Sequence, residues 1–299
     1  MRKRAGAGLF DMQTHTLDTP GATITYDVRG DLSEASAERP LLMMVASPMD
    51  APAFATLASY FTDRPVVTYD PRGVGRSSRT DDVAESTPEQ HADDLRRLIE
   101  DLGVGTVDLF ASSGGAVNGI ALVAARADLV RTFVAHEPPL AAYLPDREEV
   151  LSANRDIGDT YQRRGRGLAM AKFIQLVMVQ GPLTADYADR PDPDPAMFGL
   201  PTEDDGSRED ALLAQNIRTC VPFQPDVTLL RSASTRIVIA AGEESALELA
   251  GRAAAGLADA LGVQLTVFPS HHAGFVDGEE GRGGQPAAFA ACLREVVDA

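Results

Sequence analysis

The sequence predicts an α/β fold: a mainly parallel sheet with helices on both faces and an inserted, mostly helical layer. Three observations carry this expectation. Short apolar runs alternate with helical patterns along most of the chain. Several of those runs are continuously apolar, as strands covered on both faces must be. The rhythm breaks after residue 140 and returns with the strand at 235–242.

In chain order, "ATITYDVR" at 22–29 alternates like a strand, and "RPLLMMVA" at 39–46 reads as a buried one. A helical stretch follows near 51–62, then the strand "RPVVTY" at 64–69. The segment "STPEQHADDLRRLIEDLG" is punctuated as a helix. Thr87 suits the N-cap, Pro88 the first turn, Gln90 completes a capping box, and Gly103 stops it. "TVDLFA" at 106–111 is a strand, "GAVNGIALVAARA" a helix of small residues, and "VRTFVAHE" at 130–137 another strand.

Residues 141–227 hold two helical patterns, "REEVLSANRDIGDTYQRRG" and "LAMAKFIQLVMV", and the tract "DRPDPDPAMFGLPTEDDG". That tract cannot be a core strand, because proline removes ladder donors. The alternation resumes with a strand at 235–242, a helix over 246–261, a strand at 264–269 and a helix near 286–298. The expected organisation is a core of residues 1–140 and 228–299 with 141–227 as an insertion.

The chain has 299 residues, a hydrophobic fraction of 44% and a net charge of −17, enough apolar content for a sizeable core. So acidic a chain argues against nucleic acid or an anionic membrane as a partner. Cys220 and Cys292 fit no metal-ligand spacing and are expected as free thiols. The basic N-terminus "MRKRAGAGLFDMQ" lacks the apolar stretch of a signal peptide, and no run reaches the roughly 20 residues of a membrane span. A cytoplasmic protein is the expectation; a homodimer is compatible with it.

In such sheets ligands bind beyond the carboxyl ends of the strands. One of these exits reads "LFASSGGAVNG" at 109–119. A strand–helix turn that raises a nucleophile needs small residues two before and two after it. With Ser112 as the raised residue, Phe110 would occupy a small position; with Ser113, Ala111 and Gly115 do. Ser113 therefore fits, although a Gly-rich junction without chemistry has the same composition. A serine nucleophile needs a base and an acid to orient it. Of the five histidines, His271 and His272 in "FPSHHAGF" follow the last strand at the correct edge, whereas His91 reads as a solvated residue on a polar helix face.

"TYDPRGVGRS", "ASSGG" and "HHAGF", in this order and spacing, resemble the α/β-hydrolase fold superfamily. The resemblance covers nearly the whole chain outside 141–227, which looks like the family's helical cap. It implies Ser113 as the nucleophile and His272 as the base, with Asp70 and Arg72 structural. For the acid, one family position is three residues after Gly242, where Ser245 stands, with Glu243 and Glu244 close but out of register. The other is the end of the strand after the nucleophile helix, where "AHEPP" offers Glu137. Glu137 is preferred, with Glu244 as the alternative. The oxyanion donors are expected to be the backbone N–H of Gly114 and, because Pro48 in "ASPMD" has none, that of Met49.

The resemblance implies a serine hydrolase acting on a small to medium ester or lactone through an acyl-enzyme, with no metal or organic cofactor. A cofactor-free perhydrolase or a carbon–carbon bond hydrolase would use the same triad, and a non-catalytic ligand-binding protein can share the fold.

Overall fold

The computed structural model describes residues 12–81, 83, 85–278 and 283–299. The basic start of the chain, residues 1–11, lies outside them. The strands are β1 (Met12–Thr19), β2 (Ala22–Arg29), β3 (Leu42–Ser47), β4 (Val66–Tyr69), β5 (Ser78–Arg79), β6 (Val107–Ser113), β7 (Val130–His136), β8 (Arg236–Gly242) and β9 (Thr266–Phe268). They form one sheet in the order β1-β2-β4-β3-β6-β7-β8-β9, with β5 pairing β2. The β1–β2 and β2–β4 pairs are antiparallel; every neighbouring pair from β4 through β3 to β9 is parallel.

The helices are α1 (Ala55–Ser59), α2 (Pro88–Leu102), α3 (Gly114–Arg126), α4 (Arg147–Arg164), α5 (Arg166–Val177), α6 (Ile217–Thr219), α7 (Val227–Ser232), α8 (Leu249–Leu261) and α9 (Pro286–Asp298). Alternate strand residues enter two separate cores, as the pleat requires. Met43, Val45, Leu109, Ala111 and Phe133 pack with α2, α3 and α8. Leu42, Met44, Phe110, Val134 and Ala240 pack with Phe54, Leu57, Phe289 and Leu293 from the segment around α1 and from α9. The helices thus cover both faces.

Several boundaries differ from the sequence reading for local reasons. β4 begins only after Pro65, which cannot donate to a ladder but accepts from the Leu42 N–H at 3.0 Å. β7 stops at His136, because Glu137 turns to φ +50°. Between β7 and β8 the chain is helical, with 3₁₀ turns around the Pro-rich tract and a π-helical turn at Ala211–Asn216. Val150, Ile157, Tyr161, Leu176, Leu213 and Ile217 give this segment a core of its own, which also takes in Leu249 and Ala253 of α8.

Asp70 and Arg72 are buried in ion networks. Arg76 bridges Asp70 and Asp27, and Arg72 grips Asp94 with two 2.7 Å bonds. His91 departs from expectation. It is buried rather than solvated, because its helix face turns onto the Arg72 cluster. Burial first, then the charges of Arg72 and Arg79, lower its pKa to about 3. Cys220 and Cys292 are free thiols. Among the described residues, no helix is long and apolar enough to cross a membrane.

Candidate active site

The end of β6 separates the two serines. Ser112 is buried, and its Oγ lies 3.0 Å from Nδ1 of His136. Ser113 is only partly covered and takes φ +56°, ψ −128°, a conformation strained for a residue with a Cβ. α3 starts at once with Gly114, and Ser113 makes no side-chain bond to cap it. The tight turn presses α3 onto β3: a Cβ on Gly115 would lie 2.5 Å from Ala46 Cα. That contact is the physical reason for the small residue two positions after Ser113.

Glu137 stands one strand away, directly after β7, fully buried and also at positive φ. Its backbone N–H donates to Ala240 O at 2.9 Å, which fixes the turn to the neighbouring strand β8. Its Oε1 accepts from the Gly242 N–H at 2.7 Å, and its Oε2 accepts from Nδ1–H of His272. A buried carboxylate without partners would be costly; here both oxygens are engaged. Burial by itself opposes ionisation of Glu137. The His272 hydrogen bond and charge, His136 and the Gly242 amide outweigh it and hold the pKa at about 2. Burial likewise pulls the His272 pKa down, but Glu137 and, more weakly, Glu248 prevail and raise it.

His272 lies in the loop after β9, two residues beyond Ser270, which has φ +72°. Three non-glycine residues among those described have positive φ, namely Ser113, Glu137 and Ser270. Each sits at a strand exit on the same edge of the sheet. Such strain persists only where surrounding structure enforces it, as at active sites.

Of the other candidates, Glu243 and Glu244 bond the loop residue Ser270. Glu244 is exposed, and its N–H donates to Ser270 O at 3.0 Å. Glu243 Oε1 accepts weakly from the Ser270 N–H at 3.4 Å. Ser245, which occupies the alternative acid position, is buried with its hydroxyl unpartnered. His271 is tied to its own loop: Nδ1 accepts from the Ala273 N–H at 3.2 Å, and Nε2 lies 3.3 Å from Gly283 O.

Gly114 follows Ser113 at the start of α3, and Met49 lies in the loop after β3. Ser47, two residues before Met49, pairs with Ser113 across the β3–β6 ladder. The Ser47–Pro48 peptide is cis, and Met49 packs partly against the α1–α9 core. Two residues here were missed by sequence reasoning. Asn216, at the end of the π-helical turn, donates from Nδ2 to Ser47 Oγ at 2.9 Å. A Cβ on Gly114 would meet that same Nδ2 at 2.5 Å, so Asn216 lies directly over the first turn of α3. Nothing local in "ALLAQN" marks it, because its place depends on how the insertion folds back. His136 did carry a signal, a histidine at a strand exit next to the favoured acid.

A model of the alpha/beta hydrolase fold family matches residues 45–179. An uncharacterised hydrolase, YraK of Bacillus subtilis, is 26% identical over 262 residues, spanning 87% of this chain and 89% of that protein. Among solved structures, MGS-M2, an alpha/beta hydrolase enzyme from a Medee basin deep-sea metagenome library, superposes with a TM-score of 0.69 at 17% identity, covering 95% of this chain and 98% of that one. A thermophilic esterase from Thermogutta terrifontis gives 0.64 at 20% identity, covering 95% and 98%. The enol-lactonase of Burkholderia xenovorans LB400 gives 0.63 at 18% identity, covering 95% and 100%.

Proposed function

We propose that this chain, a member of the α/β-hydrolase fold superfamily, is a serine hydrolase that cleaves small to medium esters or lactones through an acyl-enzyme. The observation that carries the reading is the bond from His272 Nδ1–H to the buried Oε2 of Glu137, at the sheet edge where a serine is held at positive φ. With Nδ1 committed to Glu137, the ring's remaining nitrogen, Nε2, is the basic one.

Ser113 Oγ attacks the carbonyl carbon while His272 Nε2 takes its proton. Glu137 steadies the imidazolium and keeps the ring in the required tautomer. The developing oxyanion is held by the Gly114 N–H at the start of α3 and by the Met49 N–H from the loop after β3. The tetrahedral intermediate collapses, the C–O bond to the leaving alkoxide breaks, and His272 returns the proton to it. Water attacks the acyl-Ser113 ester by the same route in reverse and releases the acid. Residues 141–227 act as a cap that shapes the acyl pocket, and Asn216 is their reach into it.

The test is labelling by a fluorophosphonate probe, followed by turnover of a panel of short-chain p-nitrophenyl esters and lactones. Wild type labels and turns over; Ser113→Ala does neither. Absence of labelling in wild type, under conditions that label a control serine hydrolase, would return the chain to the ligand-binding class.

A further inference from the structure

A buried histidine next to Glu137 in sequence has no part in this mechanism. His136 is fully buried in a cage of Phe110, Phe268, Phe275 and Phe289, with ring centroids 5.3 to 6.3 Å away. Histidine is a poor filler for such a cage unless its nitrogens are occupied. Nδ1 is, by Ser112 Oγ at 3.0 Å. Nε2 has no hydrogen-bond partner and lies 3.9 Å from Glu137 Oε1. The ring also stacks on His272, with centroids 6.1 Å apart.

The proton positions follow from these contacts. If Nδ1 carried the ring proton, the bare Nε2 lone pair would face a carboxylate and be repelled. If the Ser112 hydroxyl donates to Nδ1, the proton sits on Nε2 and faces Oε1 with attraction. Burial, reinforced by His272 and opposed by Glu137, lowers the ring's pKa to about 4, so it stays neutral at physiological pH.

We propose that His136 is a positioning residue: Ser112 fixes it as the Nε2–H tautomer, and its N–H dipole holds part of the Glu137 charge on Oε1, away from the oxygen that faces His272. Ser112, His136 and Glu137 thus form a second relay behind the first, which sets the basicity of His272. The inference rests on the triad reading but is testable apart from it. Glu137 and His272 are the titratable groups bearing on His136. Glu137 and Glu248 bear on His272. Glu248 stands at the start of α8 and is untouched by the variants below.

The experiment is ¹⁵N NMR of the histidine rings in folded wild type, His136→Phe, His136→Gln and Ser112→Ala, read across pH without substrate. In wild type the His136 proton is expected on Nε2, with no titration near neutrality. In His136→Phe the charge of Glu137 concentrates on the oxygen facing His272, and the His272 midpoint rises by about half a pH unit. Ser112→Ala moves it the same way by less. His136→Gln, whose amide carries both an acceptor and a donor, restores part of the shift. The acid limb of kcat/KM moves with the NMR midpoint.

A wild-type spectrum with the His136 proton on Nδ1 overturns the proposal, even if His136→Phe does not fold. So does a His272 midpoint unchanged in folded His136→Phe. Failure of the serine-hydrolase reading shows instead as a wild type that neither labels nor turns over esters, and leaves the NMR outcomes intact.

Discussion

His272 and Glu137, 135 residues apart in sequence, are joined by a hydrogen bond whose acceptor is wholly buried and whose donor ring keeps 39% of its side chain open. One end of the pair is anchored and the other faces outward. This is the arrangement an acid–base relay needs, since the acid must orient the base and the base must reach substrate. Replacing Glu137 by Gln should therefore lower kcat by roughly 10³- to 10⁴-fold. Glu244→Gln should change it less than about threefold, as expected of an exposed surface substitution. Steady-state kinetics on one ester decide this; the reverse ranking would move the acid to the loop after β8.

The two adjacent serines should separate equally well. Ser113→Ala should lose about 10³-fold or more in kcat with an unchanged melting temperature. Ser112→Ala removes only a buried bond to His136 and should retain activity within about tenfold, with a stability loss of about 1–2 kcal/mol. Equal losses of activity would place the nucleophile one residue earlier.

Asn216 offers a test of the insertion's part in the chemistry. Asn216→Ala leaves Ser47 without its donor and should cost about 1–3 kcal/mol in stability. Asn216→Asp brings a negative charge beside Gly114, a proposed oxyanion donor, and should depress kcat more than the alanine variant does. An aspartate variant with wild-type kcat would remove Asn216 from the site.

The pH dependence of activity has a definite sign. In the proposed mechanism His272 is neutral when it accepts the serine proton, and its pKa lies above the ordinary 6.5 because Glu137 outweighs burial. The acid limb of kcat/KM should thus fall above pH 6.5. In Glu137→Gln only the weaker charge of Glu248 still opposes burial, and the residual activity should have its acid limb lower than that of wild type.

Stability should respond to acid through the two buried neutral histidines. Their pKa values fall to about 3 for His91 and about 4 for His136 on folding. Below pH 6.5 the unfolded chain binds protons that the folded one does not, so stability present above 6.5 is lost as pH falls. The limiting slope is about 1.4 kcal/mol per pH unit for each ring. His272, raised in the folded state, is protonated in both states below 6.5 and drops out there; its own contribution disappears as pH rises through its folded value. Glu137 adds to the acid loss only from about pH 4.5 down toward about 2. Urea unfolding of wild type and His91→Leu between pH 6 and 4.5 should show the slope roughly halved in the variant.

The alternation of strands and helices, the break in it after residue 140 and the steric preference for Ser113 over Ser112 are legible in the sequence, because period, punctuation and the steric demand of a tight turn are local properties. The small residues around the serine were legible for that reason, and the structure supplies the contact behind them, Gly115 against Ala46. Several things were not legible. The sequence prefers Glu137 to Glu244 but does not show what holds it, because only the parallel pairing of β7 with β8 brings the Gly242 amide and the post-β9 loop around one carboxylate. His91 was misread, because the side of a polar helix that meets an arginine cluster is fixed by packing rather than by pattern. Asn216 and the Ser112–His136 contact depend on segments 169 and 24 residues apart coming together. Such long-range polar contacts leave no periodic trace, since they are set by how elements dock after each has formed.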